Sequence, residues 1–212
     1  MISDAVYYHY LSALLDGNKS ECVRIVTDLL DGDENPKEIY IKLFQRSMYR
    51  IGDLWEKSRT SVAREHIASQ ITEDLLQLVY PKILEKEKIG KKVIISCIDK
   101  EFHELGPKIV SDFFELKGWD SIFLGSNTPQ EEIINLIKEV KPDLLGISNN
   151  FYIHIVRLLK LIEQIKKEFP GLEIIIGGQA LSNGHGISLK QFDNVKYIPS
   201  LNELESFIEN KN

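Results

Sequence analysis

The segment Asp99-Lys100-Glu101-Phe102-His103-Glu104-Leu105-Gly106 sets one imidazole among three acidic side chains and closes on a glycine. An imidazole in such a loop can present one ring nitrogen to a metal while a carboxylate holds the proton on the other. Glu101, two residues ahead of His103, has the reach to orient the ring, and Gly106 would let a bulky group approach the backbone. A single histidine does not hold a bare zinc ion, which takes about four ligands. It can be one axial ligand of a metal already held in a macrocycle. Two other segments offer space: Ser148-Asn149-Asn150, whose serine could donate a hydrogen bond into a cavity, and Gly177-Gly178, whose missing side chains leave room for a large group. In the first half, Trp55 precedes Glu65-His66 by a nine-residue gap. A turn near Arg59 to Ser61 would bring indole, carboxylate and imidazole together. Taken singly, each feature also has a plain structural reading: a solvated loop histidine, a tight turn, a strand-end serine bonding the backbone, a core-edge tryptophan.

Other chemistries lack their residues. The turn after the first apolar run holds one glycine, where a dinucleotide site needs G-x-G-x-x-G, and no G-x-x-x-x-G-K-[ST] phosphate loop occurs. No G-x-S-x-G nucleophile elbow is present. A receiver of the same topology would need an aspartate where Asn149 and Asn150 stand. The chain has 212 residues, a formal net charge of -6 and a pI near 5.5, which argues against unaided nucleic-acid binding. It has no apolar run of the roughly 20 residues a membrane span needs and no signal-peptide pattern at its start. Cys22 and Cys97 show no pairing pattern, so a reducing cytoplasm is the expected setting.

Positioning these residues takes two kinds of element. Residues 1 to 88 read as helices opened by Ser3, by Asn18 or Ser20, by Asn35-Pro36 and by Ser61. The third carries Ile39, Leu43, Met48, Ile51 and Leu54 at near-3.6 spacing, and the fourth Val62, Ile67, Ile71, Leu75, Leu78 and Val79. Short connections favour antiparallel neighbours, hence a four-helix bundle. Residues 89 to 212 alternate strands and helices. Strands are expected from Val93 to Ile98, Trp119 to Leu124, Leu144 to Ser148, Leu172 to Ile176 and Val195 to Ile198. Helices are expected from Pro107 to Gly118, from the capping box Thr128-Pro129-Gln130-Glu131, from Tyr152 to Phe169 and from the box at Ser200 to Glu203. This predicts an α/β, flavodoxin-like (Rossmann-like) sheet of about five parallel strands, covered on both faces. Ligands of such sheets bind beyond the carboxyl ends of the strands. His103, Ser148 and Gly177 all fall at those ends. A small-residue loop from Gly177 to Gly186 follows the fourth strand.

The second half resembles the cobalamin-binding domain, whose motif is D-x-H-x-x-G, then S-x-T or S-x-L, then G-G. Glu101 to Gly106 matches with Glu for Asp, Ser148 is kept, and Gly177-Gly178 matches. The first half is similar to the family's helical cap. The resemblance implies His103 as the cobalt's lower ligand, Glu101 as its orienting partner, and Ser148, Gly177 and Gly178 as the lining of a pocket for the cofactor's tail. Trp55, Glu65 and His66 resemble the W-x9-E-H motif of CarH-type photoreceptors and would surround an upper adenosyl group. Two departures stand out. Those sensors have a histidine after the tryptophan, where this chain has Glu56, leaving His66, His9 or water to replace the adenosyl group. They also carry a DNA reader ahead of the cap, and this chain starts at the cap. The resemblance therefore implies a non-enzymatic adenosylcobalamin light sensor that changes its homo-oligomer or its grip on a partner transcription regulator, without binding nucleic acid or membrane. The alternative is a corrinoid carrier, loaded with methylcobalamin, that shuttles a methyl group between methyltransferases.

Overall fold

The computed structural model describes residues 2–182 and 189–211, and the chain divides into two compact units, Met1–Glu85 and Lys86–Asn212. The far end of the small-residue loop after Gly177, expected to reach Gly186, lies outside the described residues.

The first unit is helical because its caps and apolar stripes agree. Helix α1 (Asp4–Asp16) starts where the Ser3 side chain accepts the Val6 N–H, and stops at Gly17, at φ 72. Helix α2 (Lys19–Asp31) is capped by Asn18, and the short α3 (Pro36–Glu38) by Asn35. A π-helical segment (Ile39–Gln45) leads into α4 (Arg46–Glu56). Its wide turn brings Tyr40 and Phe44 inward beside Ile39 and Leu43, all four fully buried. Ile51 is buried as expected and Ser47 is buried too, while Met48 and Leu54, expected on that face, are only partly so. Helix α5 (Val62–Leu84), capped by Ser61, buries Ala68, Ile71, Thr72, Leu75, Leu76, Val79 and Ile83 at spacings of three and four. Val62, Ile67 and Leu78 fall off that stripe and are exposed, contrary to the expected face. Helices α1, α2, α4 and α5 pack as a bundle.

The second unit is an all-parallel sheet in the order β2-β1-β3-β4-β5. Its strands are β1 (Lys92–Cys97), β2 (Asp120–Phe123), β3 (Leu144–Ser148), β4 (Glu173–Gly177) and β5 (Val195–Tyr197). Its helices are α6 (Leu105–Leu116), α7 (Gln130–Val140), α8 (Ile155–Glu168) and α9 (Leu201–Glu209). Ile94, Leu145, Ile147, Ile174 and Ile176 form one core with Ile133, Ile137, Leu158, Leu161 and Ile165 of α7 and α8. Right-handed crossovers put α6 on the other face, where Lys117 just past its end binds Glu205 and Glu209 of α9 at 2.6 and 2.8 Å. Trp119 is buried edge-on against Phe114. Three helix starts differ from expectation. Helix α6 begins at Leu105, so Gly106 sits in its first turn. Helix α7 begins after Pro129, whose extended ψ of 140 makes it the cap position, and Thr128 forms no cap. Tyr152–His154 is a 3₁₀ turn that only then becomes α8. Among the described residues no helix is long and apolar enough to cross a membrane.

Candidate functional site

The sheet order reverses between β1 and β3, and there the chain leaves both strands at their carboxyl ends to form a crevice. Register places Cys97 beside Ser148 and Ser148 beside Gly177, so three strand ends stand level. One step below, Ile95 and Ile175 flank Gly146, where an added Cβ would stand 2.5 Å from the Ile95 side chain.

The loop after β1 turns back at Lys100, at φ 67. It is tied to the loop after β2, since Lys100 donates its N–H to the Asn127 side chain at 3.0 Å and Asn127 donates its N–H to the Glu101 carbonyl at 2.7 Å. Glu101 is 0% exposed. One carboxylate oxygen accepts from His103 twice, from the backbone N–H at 3.0 Å and from ring Nδ1 at 2.7 Å. The other accepts the Asn150 N–H, at 2.8 Å, from the loop after β3. Burial alone would raise this carboxyl; the bonds from the His103 ring, the His103 N–H and the Asn150 N–H outweigh it and hold the pKa below the usual glutamate value. The imidazole itself is held at Nδ1 with its side chain 56% exposed. A metal would therefore be met by Nε2.

The neighbouring acids do other work. Asp99 pairs with Arg157 of α8 at 2.6 Å, and Glu104 accepts the Ser126 N–H at 2.9 Å. The Cys97 thiol, pushed up to about 12 by burial and by nearby Glu101 and Glu104, lies 3.6 Å from the His103 carbonyl. The two glycines differ. Gly178, at φ 91, has the Asn149 carbonyl oxygen 2.3 Å from where a Cβ would sit, so the turn admits no side chain. Gly177 and Gly106 would meet nothing within 4 Å, so at both positions the space is open. Ser148 is buried, and both amide atoms of the buried Asn149 have no partner among the described residues.

The first-unit candidates are less engaged. Trp55, at the end of α4, is 47% exposed. Glu65 accepts the Ser69 hydroxyl at 2.8 Å, and His66, its side chain 74% exposed, lies 3.7 Å from Glu65. Among the described residues no hydrogen bond or ring contact joins Trp55 to either. Glu65 is drawn one turn along its own helix instead. His9 stands 2.9 Å from Glu21.

Sequence reasoning missed three contributors. The Asn150 N–H is a backbone group and carries no sequence signal. Cys97 read only as an unpaired cysteine. Phe151, whose ring meets that of His103 at 5.0 Å, was legible only as an aromatic residue shortly after a strand.

The donor set favours a metal brought in within a larger group. Among the described residues no three of His, Cys, Asp or Glu gather to hold an ion. One pre-oriented imidazole beside open glycine positions fits a macrocycle that carries its own metal.

Residues 91–191 match a family model described as B12 binding domain, and residues 8–80 match a second model of the same description. Trimethylamine corrinoid protein 1 of Methanosarcina acetivorans is 23% identical over 159 residues, 73% of each chain. The HTH-type transcriptional repressor CarA of Myxococcus xanthus is 31% identical over 90 residues, 42% of this chain and 31% of that protein. The solved monomethylamine corrinoid protein of Methanosarcina barkeri has the same fold, with a TM-score of 0.82 at 15% identity over 98% of this chain and 99% of that one.

Proposed function

We infer that this chain, built of two B12-binding domains and taking cobalamin as its cofactor, is a corrinoid carrier that holds a methyl group for partner methyltransferases. The observation that carries this reading is the exposed His103 imidazole, anchored by a buried carboxylate at the sheet's ligand edge. Support comes from relatives named trimethylamine corrinoid proteins, which match over 73% of both chains. Bound cobalamin supplies a cobalt centre that accepts and gives up a methyl group. His103 would fill one axial position, with Glu101 keeping Nδ1 protonated so that Nε2 faces the metal. Ser148, Gly177 and Gly178 would receive the tail, and Gly106 would give the group access to the backbone. The chemistry of transfer would belong to the partner enzymes.

The light-sensing reading, with its transcription-regulator partner, is the weaker one. The repressor CarA matches over only 31% of its own length. What still favours it is the Trp55, Glu65 and His66 motif. One experiment separates the two: load the full chain with methylcobalamin and, separately, with adenosylcobalamin, and record the visible spectrum and solution mass before and after green light. A carrier binds methylcobalamin at least as tightly, and its mass is the same in dark and light. Exclusive retention of adenosylcobalamin with a lasting mass change on illumination would overturn the carrier reading in favour of the sensor.

A further inference from the structure

Glu101 fixes one point of the His103 ring, and one point does not fix a plane. The terminal torsion of histidine is broad, so the Nδ1 bond by itself leaves an imidazole able to rock about it. A second contact is needed to aim Nε2. Phe151 stands where it can supply it. Its ring meets the imidazole edge-on, with centroids 5.0 Å apart and planes at 69°. It also meets the His154 ring, at 6.0 Å and 85°. Its backbone is anchored too: the N–H of the preceding residue, Asn150, is held by the carboxylate that holds His103. Glu101 thus sets the position of both the ring to be aimed and the ring that aims it. Burial does not account for Phe151, which is 44% exposed in a loop.

We propose that Phe151 is a positioning residue for the axial imidazole, fixing the ring plane of His103 so that Nε2 is presented to the cobalt in one orientation. The proposal rests on the reading of His103 as axial ligand. An edge-on aromatic contact of this kind is worth about a two- to tenfold bias in an equilibrium, so its loss should shift the competition between imidazole and water for the axial site by that factor.

The test uses the full chain loaded with cobalamin and reduced to the cobalt(II) form. With histidine labelled with nitrogen-15, nitrogen-15 splitting in its electron paramagnetic resonance spectrum reports histidine ligation and is distinct from splitting by the cofactor's own nitrogen base. Wild type, His103→Ala, Phe151→Ala, Phe151→Leu and Phe151→Tyr are compared, and the same chains without cofactor are examined for the line width of the His103 ring nitrogens by NMR. The expected result is a nitrogen-15-split signal in wild type that His103→Ala abolishes. Phe151→Ala and Phe151→Leu should lower the ratio of nitrogen-ligated to water-ligated cobalt about two- to tenfold and broaden the His103 ring signals. Phe151→Tyr, which keeps the aromatic edge, should restore both and covers the case in which the alanine variant folds poorly. Wild-type ratios and line widths in Phe151→Leu, with His103→Ala still abolishing the splitting, would overturn the role of Phe151 alone. Splitting that survives in His103→Ala would overturn the ligand assignment and this proposal with it.

Discussion

The two units hold their candidate residues in opposite ways. In the α/β unit, Glu101 is wholly buried and accepts three donors from two loops, and His103 is fixed at its backbone N–H and its ring. In the helical unit, Trp55 and His66 project from the ends of their helices, and only Glu65 is bonded, within its own helix. The lesson is about where orientation is stored. On the proposed reading of His103 as a metal ligand, its ring would be aimed before the metal arrives, and the second unit has the buried hydrogen bonds to do so, which are costly to leave unmade.

That contrast can be broken by substitution. The largest effect is expected at Gly178. Gly178→Ala puts a Cβ at a φ of 91 and against the Asn149 carbonyl, and should cost about 3 kcal/mol of unfolding free energy; a loss below about 1 kcal/mol in urea unfolding would mean the turn is far softer than drawn. Next is Glu101→Ala, which strips three donors of their acceptor and should cost about 2 kcal/mol while weakening the histidine-ligated spectrum of the loaded protein. Glu101→Asp, one methylene shorter, cannot reach both His103 and Asn150 and should fall between. His103→Ala takes one donor from the buried Glu101 carboxylate; it should cost the cofactor-free chain about 1 kcal/mol and change the visible spectrum of bound cobalamin. The smallest effects belong to Trp55→Ala and His66→Ala, each within about 0.5 kcal/mol in the cofactor-free chain, with the lower-ligand spectrum unchanged. A cap substitution that altered that spectrum would erase the distinction between the two units.

Local signals carried much of the architecture. Ser3, Asn18, Asn35, Ser61 and Ser200 each cap the helix they were expected to open, because a cap is a bond between residues two or three apart. The bounds of β3 matched because a strand buried on both faces is a continuous apolar run between polar flanks. The misses involve competition that a local window does not contain. The π-helical turn at Ile39–Gln45 is chosen by four large side chains seeking one core, and after it Ser47 is buried where Met48 was expected. Thr128 had the composition of a cap and lost the position to Pro129. The cap motif around Trp55 pointed to a photoreceptor, whereas relatives matching over most of the chain favour the carrier.

By itself the sequence determined the order of elements, the parallel sheet and the placement of His103, Ser148 and Gly177 at strand ends, since these follow from periodicity and chain direction. It also named Glu101 as the partner of His103, because two residues of separation suffice for that bond. Only the tertiary structure decided what Glu101 does with its other oxygen, which of the two glycines is a backbone necessity, and which aromatic ring stands against the imidazole. Those are contacts between loops dozens of residues apart, and their geometry is set by the sheet that brings β1, β3 and β4 level.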